Sequence, residues 1–406
     1  MRYSLLSKFQ GALLGAALGD FLGIQYQRQL LDSDSQNEGF NLNLNKTKLQ
    51  NLRWGGDVPG LKLPHRDFKF DLKLSSSGGL ALLWAKSLIQ LRGWDLKDWR
   101  EIWVGFSHSE LTRFNAQLNN EAIGTAEELL NRKNVISSAT SKPKPFMLSP
   151  SEAAVATLPT AMFFHENKAQ LREKLEQLAV VWHSPNYVEQ DSIAGPLAVG
   201  YAIARALKEK LNPASLIPET VTYLGVDTPL TALLLQVQIL LDQGASLEAA
   251  VIQLCKNVVV QQKQHVLEGK SEAKFVSPSS FLPIAIAFYC FLNTPEDLRL
   301  AVVRAARTGI EPQLTCSLVG AISGAYNSKV SIPLEWRLAV EQNSASSELA
   351  AGRAPLLWGK ASYGEIVELA ANLLAIWSGA YHSDSASELL SYPVVAAPYV
   401  IRPYQV

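Results

Sequence analysis

TGIEPQLTCSLVGAISGAYNSKVSIPLEW, residues 308–336, is the stretch of this 406-residue chain that says most about its fold. Within it, apolar residues recur at helical spacing over residues 314–326 and alternate with small ones. A second run of this kind, FQGALLGAALGDFLG at residues 9–23, has a glycine every four residues. That run is too short to span a bilayer. We therefore predict a buried helix whose glycines let a neighbouring backbone approach closely, and no membrane span.

Helical periodicity extends over most of the chain, whereas no run alternates long enough to require a sheet. No fixed repeat period is present either. These patterns predict an all-α fold, a large orthogonal multi-helix bundle. The segments with helical spacing are 79–91, 121–130, 153–164, 171–182, 193–207, 230–241, 247–259, 281–292, 298–306, 314–326 and 366–377.

Several helix starts are marked by capping residues. Ser149, followed by Pro150 and Glu152, has the spacing of a capping box. Asp95 precedes another helix, and the run that begins at Thr294 places a proline in the first turn of a third. These signals predict where three of the helices begin.

Composition excludes some classes of function. The 37 basic and 37 acidic residues cancel, so no positive field is available for a phosphate backbone and nucleic-acid binding is not expected. The three cysteines are far apart and contain no CxxC pair, which predicts neither a disulfide framework nor a zinc site. A reducing cytoplasm is the expected location.

Two segments rich in polar residues and proline interrupt the helices, residues 32–57 and 135–149. No composition shift flanks them, so we predict loops on a single domain of residues 1–382. Residues 383–406 contain three prolines and are predicted to form an extended C-terminal tail. The tail also contains six apolar residues, Val394, Val395, Tyr399, Val400, Ile401 and Tyr404.

Five segments, in order, resemble the ADP-ribosylglycohydrolase family (the dinitrogenase-reductase-activating glycohydrolase type). The two strongest are the opening helix, residues 9–23, and VGAISGAYNSKVSIPLEW, residues 319–336. Between them lie weaker matches at SSSGGLALLWAKSLI, residues 75–89, SEAAVATLPTAMFF, residues 151–164, and WHSPNYVEQDSIAGPLAVGYAIA, residues 182–204. The resemblance implies an all-α fold and hydrolysis of ADP-ribosylated groups with a pair of magnesium ions.

The positions that would bind magnesium have changed. Hard cations prefer carboxylate oxygens, which the family supplies as a Thr-Asp-Asp triplet and an Asp-x-Asp motif. The triplet aligns here with Ser75, Ser76 and Ser77, and the following Thr with Gly78. The second motif aligns with Glu311 and Gln313, and the family's Arg and Asn-Gly align with Ala156 and with Ser151-Glu152. Because about four carboxylates become one, magnesium binding should be weak or absent unless Asp67, Asp71 or Glu152 substitutes.

The remaining candidate residues each have two interpretations. Asp20 either caps a turn or faces the degenerate site, and His183 is either a relic of catalysis or a helix-end residue bonded to the backbone. The serines at 75–77 form either a helix cap or a nest that holds an anion by backbone N–H groups. Cys316 is expected to be buried and inert, and the tryptophans 84, 94, 99 and 103 are expected to pack rather than to stack on bases.

We expect a protein that keeps the family's cleft but has lost its metal centre. Such a pseudoenzyme would serve as a binding or regulatory subunit for an ADP-ribose-like or nucleotide ligand, or for a protein partner. The first alternative is an active ADP-ribosyl hydrolase with an altered site. The second is a structural or assembly protein that uses the two loops or the tail for its contacts.

Overall fold

The computed structural model describes residues 3–34, 76–121, 147–182, 189–267, 276–345, 357–358 and 361–380. Within these ranges the chain forms helices and one isolated backbone bridge between Leu357 and Ala361, with no strand pairing into a sheet. The all-α prediction is confirmed. The helices are α1 (Leu5–Asp34), α2 (Ser76–Gln90), α3 (Leu96–Glu121), α4 (Pro150–Ala156), α5 (Leu158–Phe163), α6 (Lys168–Trp182), α7 (Glu189–Leu207), α8 (Leu216–Leu224), α9 (Pro229–Asp242), α10 (Leu247–Leu267), α11 (Leu282–Asn293), α12 (Leu298–Arg307), α13 (Pro312–Asn327), α14 (Leu334–Ala345) and α15 (Tyr363–Ser378), with short 3-10 turns at Pro278–Phe281 and Lys329–Ser331.

The two segments with regularly spaced glycines, α1 and α13, pack against each other at the centre of the molecule. A Cβ built on Gly15 would lie 2.9 Å from the Gly320 carbonyl carbon, and one on Gly320 would lie 2.6 Å from the Gly15 carbonyl carbon. Gly11 faces Gly324 in the same way, and Gly19 faces Cys316. Backbones this close allow Cα–H groups to contact carbonyl oxygens across the interface.

The order of these contacts gives the direction of the pair. The contact positions advance by four along α1 while they fall by four along α13, and they end where Gly23 meets Pro312. The two helices are therefore antiparallel, and the middle of α1 lies beside the first turn of α13. The predicted close approach of a neighbouring backbone is confirmed.

Other helices complete a core around this pair. α11, α12, α7 and α4 contact α13, whereas α15 contacts α1. α11 is buried almost throughout, from Leu282 to Phe291. Trp84 and Trp99 stack with ring centroids 4.8 Å apart, and both rings are fully buried. The tryptophans at 84, 99 and 103 are thus packing residues, as predicted.

The helix starts test the capping predictions. Ser149 caps α4 in a complete capping box with Glu152, which confirms that start. Asp95 accepts a hydrogen bond of 2.8 Å from the Lys97 N–H at the start of α3, as predicted. The prediction at Thr294 was wrong, because α12 begins at Leu298 and its cap is Asp297. An aspartate side chain that reaches the N–H of Leu300 fixes the start more strongly than the proline does.

Three helices, α3, α8 and α14, lie almost wholly outside the predicted segments, and of these only α3 had a predicted start, at Asp95. The first three residues of the predicted loop at 32–57 are helical instead, because α1 continues to Asp34. The rest of that loop, most of the loop at 135–149 and the tail at 383–406 lie outside the described residues. The single domain of residues 1–382 therefore stays a prediction.

Candidate functional site

The turn between α12 and α13 holds Glu311 in an unusual conformation. Glu311 is the N-cap of α13 with φ 37° and ψ 61°, in the left-handed region, and it makes no capping hydrogen bond with its side chain. Such a conformation costs about 1–3 kcal/mol in a residue other than glycine. Two hydroxyls fasten the turn: Thr308 donates to the Ala305 carbonyl at 2.7 Å, and Thr315 donates to the Ile310 carbonyl at 2.6 Å. The turn therefore presents Glu311 in a fixed direction.

Asp20 and Gln313 join α1 to the first turn of α13. The Gln313 side-chain amide donates a hydrogen bond from Nε2 to Oδ1 of Asp20 over 3.1 Å. Asp20 is 2% exposed and lies well inside α1, so the interpretation of Asp20 as a cap is wrong. The structure places Asp20 beside Gln313, one of the other predicted site residues, and its membership of a degenerate site stays a prediction.

Glu311 and Glu152 are close enough to influence each other. Burial by surrounding protein raises the pKa of the Glu311 carboxyl, and repulsion from the Glu152 carboxylate raises that pKa further. Glu311 keeps contact with solvent, which screens the effect. Glu152 is engaged elsewhere, because its Oε2 accepts a hydrogen bond of 2.8 Å from the Ser149 N–H. One oxygen of Glu152 is therefore committed to the capping box of α4.

Trp358 packs on the first turn of α2. A Cβ built on Gly78 would lie 2.5 Å from Nε1 of Trp358 and closer still to the ring carbons. The indole is 2% exposed, and its Nε1 has no hydrogen-bond partner among the residues that the structure describes. Trp358 has a left-handed φ of 48° in a tight turn closed by two backbone hydrogen bonds between Leu357 and Ala361, of 2.7 and 3.0 Å. The space beside Gly78 is thus filled by an aromatic ring.

This ring is a neighbour of the predicted site residues that sequence reasoning missed. The aligned family motif has a threonine where this chain has Gly78. A glycine inside a helix can signal the close approach of another group, but nothing in the sequence names Trp358 as that group. Of the three predicted serines, Ser76 is the first residue of α2 and Ser77 is buried inside that helix. Ser75 lies outside the described residues, as does the predicted His183.

The family model for ADP-ribosylglycohydrolase matches residues 1–376. The chain belongs to the ADP-ribosylglycohydrolase family. Among solved structures, an ADP-ribosylglycohydrolase-related protein complex is similar at 19% identity, with a TM-score of 0.45 over 92% of this chain and 99% of the other. No curated protein gives a significant match. The family assignment rests on the sequence match, which spans nearly all of the helices.

The donor atoms near the start of α13 do not fit the magnesium centre that the ADP-ribosylglycohydrolase resemblance implies. Magnesium needs several oxygen ligands that converge on one point. Asp20 is bonded to an amide, Glu152 to a backbone N–H, and Glu311 lies in a strained turn. Among the residues that the structure describes, no three His, Cys, Asp or Glu side chains group in a way that could hold a metal ion. Asp67 and Asp71 lie outside those residues.

The cysteines of this ADP-ribosylglycohydrolase family member are buried, which affects their reactivity. Burial raises the pKa of Cys255 to about 11 and that of Cys290 to about 12, and Cys316 is also fully buried. These free thiols are therefore poor nucleophiles near neutral pH, as predicted for Cys316. In the described part of the chain, no helix has the length and apolar character needed to cross a membrane.

Proposed function

We propose that this ADP-ribosylglycohydrolase family member does not hydrolyse its ligand with magnesium and instead acts as a binding or regulatory protein. One observation carries the proposal: the Gln313 amide occupies a position that aligns with a ligand carboxylate and is bonded to Asp20. A neutral amide cannot offset the charge of a dication removed from water. The chain therefore keeps the scaffold but lacks the charge that holds the metals.

The ligand class follows from family membership. An ADP-ribose-like or nucleotide ligand carries phosphates and ribose hydroxyls, which backbone N–H groups at helix starts can bind without a metal. A protein partner is the other candidate for the bound species. We also propose a cytoplasmic location, which is supported by three unpaired, buried cysteines.

A second candidate is a hydrolase with an altered site. It is supported by the proximity of Glu311 and Glu152, because a carboxyl with a raised pKa next to a carboxylate can serve as a general acid. In that case hydrolysis would not need magnesium, and it would depend on Glu311.

One assay separates the two candidates. Purified protein is incubated, in excess over substrate, with magnesium and a peptide that is ADP-ribosylated on arginine or serine, and released ADP-ribose is quantified. An active member of the family serves as the positive control. We expect no release above the buffer blank, and unchanged results for Glu311→Gln. Release by the unmodified protein that is lost in Glu311→Gln would contradict the proposal and establish the second candidate.

A further inference from the structure

The hydrogen bond between Asp20 and Gln313 lies where two helices cannot easily separate. Asp20 follows Gly19, and a Cβ on Gly19 would lie 2.6 Å from the Cys316 carbonyl carbon. Gln313 follows Pro312, whose carbonyl carbon lies 2.5 Å from a Cβ built on Gly23. Backbone contacts on both sides of the hydrogen bond therefore fix the separation of α1 and α13 at this point.

Because the two helices cannot move apart here, the stability of the contact depends on whether residue 313 offers Asp20 a hydrogen-bond donor or an acceptor. At 3.1 Å, Asp20 accepts from an amide N–H, which is a favourable contact for a buried carboxylate. A glutamate at position 313 would have nearly the same shape but would present an acceptor instead of a donor. Two carboxylates at this distance cannot both stay ionised unless a proton or a cation lies between them.

We infer that the Gln313 amide takes the place of a cation in this site and makes the fold of the site independent of metal. This inference rests on the proposed function and gives it a structural cause: the donor that Asp20 needs is built into the chain. It follows that one isosteric change, Gln313→Glu, should convert a metal-independent protein into one whose stability responds to divalent cations. Carboxylate pairs are ligands that Mg²⁺ and Ca²⁺ prefer.

The test measures thermal unfolding with EDTA and with millimolar Mg²⁺ or Ca²⁺. We expect the Tm of the unmodified protein to be the same in all three conditions. Gln313→Glu should lower Tm in EDTA by roughly 5 °C or more, because it sets a second carboxylate against the buried Asp20. Divalent cations should recover at least half of that loss, whereas a matched increase in ionic strength from KCl should not.

Two matched variants isolate the charge. Asp20→Asn combined with Gln313→Glu exchanges donor and acceptor, so Tm should return toward the starting value with no response to cations. Gln313→Leu removes the hydrogen bond without adding charge, and its lower Tm should also be insensitive to cations. If Gln313→Glu does not fold, the double variant Asp20→Asn/Gln313→Glu still tests the inference. A double variant that also fails to fold would overturn it.

Other outcomes would also overturn it. A Gln313→Glu protein whose lowered Tm ignores divalent cations would show that no cation can occupy the space between the two acids. A comparable Mg²⁺ response in the unmodified protein would show that the amide does not replace a cation. Hydrolysis by the unmodified protein, in contrast, would overturn the proposed function and leave the result for the Asp20 and Gln313 pair unaffected.

Discussion

The indole of Trp358 lies on Gly78 at some cost to the protein. Its Nε1 is buried with no acceptor in the described part of the chain, and its backbone is left-handed. Each of these features is unfavourable by about 1–3 kcal/mol. Burial of the large ring and the two backbone hydrogen bonds between Leu357 and Ala361 offset that cost. The contact is possible only while position 78 has no side chain.

Gly78→Ala tests this dependence. The new methyl group would overlap the indole, so we expect the free energy of unfolding to fall by roughly 2 kcal/mol. Gly79→Ala is a matched control on the same turn, because a Cβ there meets no atom of the described residues within 4 Å. Alanine favours a helix over glycine by about 1 kcal/mol, so Gly79→Ala should be neutral or stabilising.

The double variant Gly78→Ala/Trp358→Ala completes a thermodynamic cycle, measured by urea unfolding. Without the indole, Gly78→Ala should no longer be destabilising, although Trp358→Ala alone costs about 3–5 kcal/mol. Equal effects of Gly78→Ala and Gly79→Ala would contradict the close contact.

Single residues show where prediction from sequence ended. The capping box at Ser149 was predictable because it depends on residues three apart. Asp20 was harder, because its amide partner is far along the chain at Gln313. The contact of Trp358 with Gly78 was not predicted for the same reason. Local patterns determine caps and helix faces, but the packing of distant segments determines the site.

At the scale of elements, α1 and α13 form the tightest helix pair in the described structure, with glycine backbones in direct contact. The sequence predicted that the glycine face of α1 would meet a backbone, since small residues every four positions form a continuous strip. It also marked α13 as a helix with small residues. It did not pair the two, because periodicity describes one helix and says nothing of its neighbour.

Gly15→Ala should therefore destabilise the protein strongly. Its Cβ would meet the backbone of Gly320, which cannot rotate away as a side chain can, so α1 and α13 would have to separate. We expect a loss of more than about 3 kcal/mol in the free energy of unfolding, or no folded protein. Gly105→Ala on α3 is the control, because Gly105 is exposed and its Cβ would contact none of the residues that the structure describes.

Circular dichroism during urea unfolding measures both variants. Gly105→Ala should unfold at an unchanged or slightly higher urea concentration. Its free energy of unfolding should rise by no more than about 1 kcal/mol. A Gly15→Ala protein as stable as Gly105→Ala would mean that the two helices are not in backbone contact.

At the scale of the molecule, the all-α class was predictable because helical periodicity fills the chain. The family match to residue 376 and the end of the last described helix at Ser378 support a domain that closes before the tail. The single domain of residues 1–382 is a proposal that deletion can test. The alternative of an assembly protein requires the tail, or the loops at 32–57 and 135–149, to bind other subunits.

Deleting residues 385–406 is expected to lower Tm and to leave the oligomeric state unchanged. The reason is that six apolar residues in this segment gain more from packing on their own domain than from solvent exposure. Val400→Asp/Ile401→Asp in the full chain should reproduce the effect. Tm is followed by calorimetry and mass by light scattering. A change in mass with Tm preserved would favour the assembly alternative instead.

The antiparallel contact of α1 with α13 also has a consequence for synthesis on the ribosome. Gly15 leaves the ribosome about 300 residues before Gly320, which at 5–20 residues per second is roughly 15–60 s. During that interval α1, whose residues from Gly11 to Gly23 are buried in the folded protein, has no partner to cover its apolar surface. Nascent chains of this family member should therefore depend on chaperones that shield an exposed N-terminal helix until the far end of the domain is made.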